Sequence, residues 1–251
     1  MLPATIVDFF AEHQELLWFL TVVVDLSVTI LLYRLFGKMG LYAIVVLNIM
    51  LSNLQGAKLT VIFGLETSLG AVLYSGIYFA TDLLSEKYGR REANRAVLIG
   101  FVTSIIVVLM MSINLMFLPS IQKFELAEST HQALETLFDV TPRFVFGSMF
   151  VYLISQSLDV WVFHYIKALT KGKHLWLRNN LSTLISQAVD TVLYAFVVWW
   201  GIYDLTTALK LALAKYLFKS IIALLDTPFI YWARTWDVRH RDWYEFEQHD
   251  E

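Results

Sequence analysis

The sequence predicts an all-α integral membrane protein, a helical bundle of about seven transmembrane helices. Of its 251 residues, 57% are hydrophobic and only 16% are charged, whereas soluble domains average roughly 45–50% apolar and 25% charged residues. Its apolar residues form long runs, and a helix of about 20 residues crosses a hydrocarbon core about 30 Å thick. No barrel-like alternation is present, so helices are expected, because they satisfy their own backbone hydrogen bonds in lipid.

Seven apolar runs lie between charged or turn-rich breaks, and each is predicted as one membrane span. The runs are residues 16–36, 39–63, 67–84, 95–117, 142–168, 181–202 and 206–232. The third run is short, whereas the fifth and seventh are long enough to tilt or kink. The break at 119–142 carries a partly amphipathic pattern, which predicts either a short external helix or a surface loop.

Basic residues concentrate in every second break, and this predicts the orientation of the chain. Lys and Arg accumulate on the cytoplasmic side of membrane proteins. The basic breaks follow the first, third, fifth and seventh runs and include Lys38, Arg90, Arg91, Lys171, Arg178, Arg234 and Arg239. We therefore expect an external N-terminus, one transmembrane domain over 1–251 and a short cytoplasmic tail at 236–251.

Composition and motifs also exclude several classes of function. A net charge of −3 offers no basic surface for nucleic acid. The absence of cysteine removes thiolate chemistry and Cys-ligated metal, and no H-E-x-x-H or G-x-S-x-G motif occurs. We expect no enzyme, no metal and no cofactor. The less favoured alternative is an intramembrane enzyme that uses Asp159 and Asp190 as a carboxylate pair.

Polar side chains inside the apolar runs point to a binding site. A charge at the bilayer centre costs about 2.5–3.5 kcal/mol on insertion scales and usually faces a protein interior or a watery cavity. Gln156 with Asp159, and Gln187 with Asp190, are spaced three residues apart, so each pair projects from one helix face. Lys219 is the candidate counter-charge at similar depth. Asp25 and Asn114 stand alone in their runs and are expected to be structural.

Paired amides and carboxylates suit a flat, neutral, polar heterocycle such as a purine-like base, because they match ring N–H, amino and carbonyl groups. Aromatic residues that could stack on such a ring are Tyr152, Trp161, Tyr194 and Phe218. The alternative is structural: Lys219 pairs with Asp190 or Asp159, and interhelical hydrogen bonds worth roughly 0.6–2 kcal/mol hold the bundle together.

Four motifs in order resemble the queuosine precursor transporter family: TDLLSEKYG at 81–89, SQSLDVWVF at 155–163, LSTLISQAVDT at 181–191 and FKSIIALLDTPFIY at 218–231. The resemblance covers roughly residues 45–235. It implies a fold similar to the membrane substrate-binding subunits of energy-coupling-factor vitamin transporters, with a six-helix core at 39–235 and an added N-terminal helix at 1–38. It also implies a bacterial inner-membrane importer of 7-cyano-7-deazaguanine or 7-aminomethyl-7-deazaguanine.

The resemblance carries over to individual residues. The substrate-binding residues that we expect are Asn53, Lys58, Gln156, Asp159, Gln187, Asp190 and Lys219. Asp82, Arg95 and Asp226 are expected to make structural contacts or to form a cytoplasmic gate. Gln187 stands where some members of the family have Asn. Since the chain has no P-loop motif, a substrate-capture subunit with a separate ATP-driven module is the alternative to an autonomous importer. The expected partners are the base, the lipid bilayer and a second copy in a homodimer.

Overall fold

The computed structural model describes residues 4–56, 58–138, 142–199, 204–236 and 238, and most of them are helical. Eight α-helices follow one another in this part of the chain: α1 (Ala4–Glu12), α2 (Gln14–Gly56), α3 (Gly70–Lys87), α4 (Arg90–Asn114), α5 (Phe124–Phe138), α6 (Pro142–Leu169), α7 (Leu175–Tyr194) and α8 (Leu205–Arg234). A 3₁₀ turn (Ile121–Lys123) precedes α5, and a π-helical segment (Ala195–Trp199) continues α7.

Four stretches of helix within the described residues are long and apolar enough to cross a membrane: Gln14–Gly56, Arg90–Asn114, Phe146–Leu169 and Leu175–Val198. The first, of 43 residues, is kinked at Gly37, where φ is 57° and ψ is −134°. Glycine tolerates this conformation because it has no Cβ. The kink falls in the predicted break between the first two runs. The prediction of an all-α, multi-pass membrane protein is confirmed.

Helix α3 lies at the centre of the bundle. From Ala71 to Ser85 every side chain except Tyr74 is buried, and Tyr74 is half-buried. The helix packs against α2, α4, α6 and α8. A helix surrounded by other helices needs no lipid-compatible face, so it can carry polar residues such as Thr81 and Asp82 at no cost in lipid contact.

The predicted second run, 39–63, is wrong at its end. Helix α2 stops at Gly56, and two strands, β1 (Leu59–Ile62) and β2 (Leu65–Ser68), form an antiparallel hairpin in which Leu59 faces Ser68. The turn places Phe63 and Gly64 at positive φ, 50° and 75°, which is the geometry of a tight hairpin. The third helix therefore begins at Gly70 instead of residue 67.

Other boundaries shift by a turn or more. Helix α7 begins at Leu175, six residues before the predicted start, and so takes Arg178 and Asn179 out of the predicted loop. Helix α5 confirms a helix within the break at 119–142, and none of its described side chains is buried. Of the predicted tail at 236–251, only Trp236 and Val238 belong to the described residues.

The N-terminal half of α2 is packed into the bundle. Trp18 contacts Phe218 of α8, with ring centroids 5.4 Å apart. Asp25, expected to stand alone, accepts hydrogen bonds from Asn48 Nδ2 at 2.8 Å and from Ser75 Oγ at 3.1 Å. These contacts join both halves of α2 to α3 and agree with the structural role expected for Asp25.

Candidate functional site

A buried ion pair connects α7 and α8. Lys219 Nζ lies 3.0 Å from Asp190 Oδ2, and Lys215 Nζ lies 3.5 Å from the same oxygen. The other oxygen, Oδ1, accepts from Ser155 Oγ of α6 at 3.2 Å. Of the two partners predicted for Lys219, the structure therefore selects Asp190 over Asp159, and this carboxylate links three helices.

Sequence reasoning missed Lys215. It lies one helical turn before Lys219, so the i, i+4 spacing was the available signal. Its Nζ sits 3.7 Å from the centroid of the Tyr194 ring, a cation–π contact. The ring predicted to stack on a ligand thus stacks on a lysine in this conformation.

The two predicted amides are buried with free hydrogen-bonding groups. Gln156 Oε1 accepts a long hydrogen bond of 3.4 Å from Thr81, while Gln156 Nε2 has no partner among the described residues. Gln187 is 1% exposed, and neither its oxygen nor its nitrogen has a partner there. An unsatisfied buried polar group costs roughly 1–3 kcal/mol. Such groups are therefore expected to face water or a ligand.

Gln187 and Lys219 line a narrow cavity between α3, α7 and α8. Its polar lining residues are Tyr74, Ser75, Tyr78, Thr183, Gln187, Lys219 and Asp226. The interior holds about one water molecule. A two-ring base does not fit this conformation, so the helices must separate before a ligand of that size can enter.

Three buried carboxyls lie toward the end of the bundle that carries the basic breaks. Asp159 Oδ1 accepts from Ser186 Oγ at 3.0 Å, and Asp226 Oδ1 accepts from Asn179 Nδ2 at 2.8 Å. Asp82 faces the Asp159 carboxyl and the Thr183 hydroxyl. We call Asp82, Asp159 and Asp226 the carboxyl trio. The sequence indicated their depth but not their hydrogen-bond donors.

Three predicted site residues lie apart from this buried set. Asn53 and Lys58 are exposed, and Lys58 lies between α2 and β1 instead of inside a helix. Arg95 pairs with Glu92 on its own helix, with its side chain 51% exposed. The expectation that Arg95 contacts Asp82 or Asp226 is wrong, because its guanidinium pairs with Glu92 and neither aspartate has an ion pair among the described residues.

Among the predicted stacking residues, Tyr152 and Phe218 are buried. Trp161 is 47% exposed and stacks on Tyr165 at the outer face of α6. Trp161 therefore faces the outside of the bundle and does not line the cavity. Tyr74 and Tyr78 of α3, which the sequence did not single out, line the cavity instead.

A second charged centre, missed from the sequence, lies one turn beyond Asp82. Glu86 Oε1 and Oε2 are each 2.7 Å from Arg178 Nη2, while Lys167 Nζ and Arg234 Nε approach at 3.0 and 3.1 Å. We call these four residues the Glu86 cluster. Burial tends to raise the pKa of Glu86, but hydrogen bonds from Arg178 and Lys167 outweigh it and lower that pKa below its ordinary value.

The buried polar residues of the bundle indicate the functional class of the protein. A multi-helix membrane protein with free amides, carboxyls and a lysine buried at matching depth is typical of transporters of small polar solutes, whose binding sites lie inside the bundle.

The chain matches the family described as putative vitamin uptake transporter over residues 68–233. It is 37% identical over 218 residues to the probable queuosine precursor transporter of Bacillus subtilis, covering 86% of this chain and 93% of that protein. It is 28% identical over 167 residues to the queuosine precursor transporter of Escherichia coli, covering 65% of this chain and 71% of that protein. No solved structure matches the chain significantly. The chain therefore belongs to the queuosine precursor transporter family.

Proposed function

We propose that the protein imports a queuosine precursor, 7-cyano-7-deazaguanine or 7-aminomethyl-7-deazaguanine, across a bacterial inner membrane. The observation that carries the proposal is a pair of buried amides, Gln156 and Gln187, near the Asp190–Lys219 ion pair. Gln156 Nε2 and both polar atoms of the Gln187 side chain lack partners among the described residues. The names of the relatives supply the class of substrate.

The chemistry of a deazaguanine edge matches these groups. The base presents a ring N–H and an amino group side by side, next to a carbonyl oxygen. A carboxylate accepts two parallel N–H bonds, and an amide NH₂ donates to a carbonyl. We assign the paired N–H groups to Asp190 and the carbonyl to Gln187 or Gln156. Asp190 is preferred over Asp159 because its partner Lys219 lines the cavity that Gln187 lines.

The proposed topology has seven spans with an external N-terminus. The Gly37 kink divides α2 into two spans, and α3, α4, α6, α7 and α8 supply the other five. In this orientation the Glu86 cluster lies on the cytoplasmic side and the Asp190–Lys219 pair lies farther out. Entry of the base requires α7 and α8 to move. The π-helical segment after α7 and Pro228 inside α8 are places where these helices can bend.

The first test is ligand-induced stabilisation of the purified protein by the two deazaguanines, with guanine as the comparison base. A ligand at 100 times its dissociation constant stabilises the folded state by about 2.7 kcal/mol. We expect a shift with at least one deazaguanine, and loss of most of it in Gln187→Leu and Asp190→Asn. Asn114→Leu, at the exposed end of α4, is the matched control. Folded wild-type protein that responds to no base would overturn the proposal, and unchanged binding by both variants would move the site.

The second candidate is a substrate-capture subunit that works with a separate ATP-driven module. Two observations support this candidate: the chain has no P-loop, and its family is described as putative vitamin uptake transporter. Uptake of labelled base by proteoliposomes that contain only this protein would reject this candidate. The predicted homodimer is tested in the same preparation by measuring the mass of the protein in detergent.

A further inference from the structure

The carboxyl trio concentrates acidic groups at one depth of the bundle. Asp82, Asp159 and Asp226 come from α3, α6 and α8, and each is at most 1% exposed. Ser186 and Asn179, both of α7, each donate one hydrogen bond to the trio. Neither oxygen of Asp82, nor Oδ2 of Asp159, has a donor at ordinary hydrogen-bonding geometry among the described residues, although the Thr183 hydroxyl faces Asp82.

The lysine and arginine side chains of the surrounding helices pair with other groups or are exposed. The described charged and histidine residues on the elements packed around the trio are Glu15, Asp25, Arg34 and Lys38 on α2, Glu86 and Lys87 on α3, Arg90, Arg91, Glu92 and Arg95 on α4, His164 and Lys167 on α6, Arg178 and Asp190 on α7, and Lys210, Lys215, Lys219 and Arg234 on α8. Lys215 and Lys219 pair with Asp190, while Lys167, Arg178 and Arg234 pair with Glu86. Lys38 and Arg95 pair with Glu92. Within the described part of the chain, no basic side chain forms an ion pair with the trio.

Neighbouring carboxyls without a cation are not stable as anions in a dry interior. A buried charge is tolerated when it is paired or neutralised, and two carboxyl groups in contact share protons as one unit. The described residues also contain no group of three acidic or histidine side chains arranged to hold a metal ion. A proton is therefore the occupant that fits.

The trio is connected to the proposed substrate site. Asp226 lines the same cavity as Gln187 and Lys219, and Thr183, which faces Asp82, lines it too. Gln187 is buried without a partner among the described residues at this cavity. Occupation of the cavity by a ligand would therefore act directly on the trio through Asp226 and Thr183.

We propose that Asp82, Asp159 and Asp226 form a proton-binding site that couples inward movement of a proton to uptake of the base. This inference rests on the proposed function. The proton enters with the base from the outside, is held between Asp82 and Asp159, and leaves to the cytoplasm when the helices separate on that side. With one proton per base, a gradient of one pH unit limits accumulation to about tenfold.

The test measures accumulation of labelled 7-cyano-7-deazaguanine or 7-aminomethyl-7-deazaguanine in proteoliposomes at clamped membrane potential. An inside-alkaline gradient is expected to drive wild-type accumulation above the outside concentration, and a protonophore is expected to abolish it. Asp82→Asn is expected to keep ligand-induced stabilisation and exchange of internal for external base, while accumulation falls to the equilibrium level. Asp204→Asn is the matched control, because this exposed carboxylate caps α8 through Thr207 and Asn caps equally well.

The outcomes separate the two proposals. Wild-type protein without exchange or stabilisation by either base would reject the proposed function. Exchange without any response to a proton gradient, accumulation driven by a sodium gradient, or full gradient-driven accumulation by Asp82→Asn would each overturn the proton site. If Asp82→Asn does not fold, the wild-type liposomes decide: a trapped pH dye must report acidification that accompanies uptake of the base, and its absence rejects coupling.

Discussion

Glu86→Gln is expected to destabilise the bundle by about 3 kcal/mol. The carboxylate of Glu86 holds Arg178, whose side chain is fully buried, and removal of one partner of a buried ion pair costs about 3–5 kcal/mol. The other two partners, Lys167 and Arg234, are 31% and 46% exposed, so each adds at most about 1 kcal/mol. Because glutamine keeps one acceptor for Arg178, the lower end of the range is expected.

The assay is thermal unfolding of the purified protein in detergent, where 3 kcal/mol corresponds to a fall in Tm of about 6–12 °C for a domain of this size. Glu92→Gln is the matched control: Glu92 also binds two basic side chains, but Arg95 is 51% exposed, and a loss of at most about 1 kcal/mol is expected. Equal Tm values for the two variants would refute the reasoning that burial of Arg178 dominates the cost.

Three further predictions concern the same helices. Because the pKa of Glu86 is lowered on folding, the stability that its carboxylate contributes is full above the unfolded pKa of about 4.3 and is lost as the pH falls through the folded pKa. The Tm of Glu86→Gln should therefore depend less on pH in acid than the Tm of the wild type. Parallel curves of Tm against pH for the two proteins would contradict this. Gly76→Ala should lower the Tm, because an added Cβ would collide with the Asn48 amide and lie 2.5 Å from Asp25 Oδ2, and overpacking costs about 1–3 kcal/mol. An unchanged Tm would show that the Asn48 and Asp25 side chains can both move aside. Lys219→Met should cost about 3 kcal/mol, the lower end of the range for a broken buried pair, because Asp190 keeps Lys215 at 3.5 Å as a second partner. Lys215→Met, at a side chain 21% exposed, should cost at most about 1 kcal/mol in the same melts, and equal losses would argue against Lys219 as the main partner of Asp190.

The sequence predicted the helical class and the inward polar residues of α6, α7 and α8, because long apolar runs leave few alternatives in lipid. It could not predict the hairpin after α2. Residues 59–62 read Leu-Thr-Val-Ile, a short apolar stretch that suits a helix end or a strand equally well. The strand is favoured by the tight turn at Phe63 and Gly64, which closes the hairpin.

The Glu86 cluster was missed for a different reason. Arg95 and Arg178 are both basic residues near the same end of the bundle, and charge alone cannot select between them. The choice depends on where a helix starts. Because α7 begins at Leu175, Arg178 falls inside the first turn and points at α3, whereas Arg95 of α4 stays near Glu92. A six-residue error in the predicted start of α7 was enough to hide Arg178 as the buried partner of Glu86.

On α3, α6, α7 and α8, the buried and partly buried acidic residues fall into three layers that differ in their charge balance. Asp190 is matched by Lys219 and Lys215, and Glu86 is matched by Arg178, Lys167 and Arg234. Only the carboxyl trio between them has no basic partner among the described residues. A paired layer resists separation of the helices, because opening it exposes charges that lose their partners. A layer neutralised by protons can change its charge without any helix moving first. Loss of Glu86 should therefore weaken the closed bundle, and loss of Asp82 should uncouple it from the proton gradient while leaving its stability largely intact.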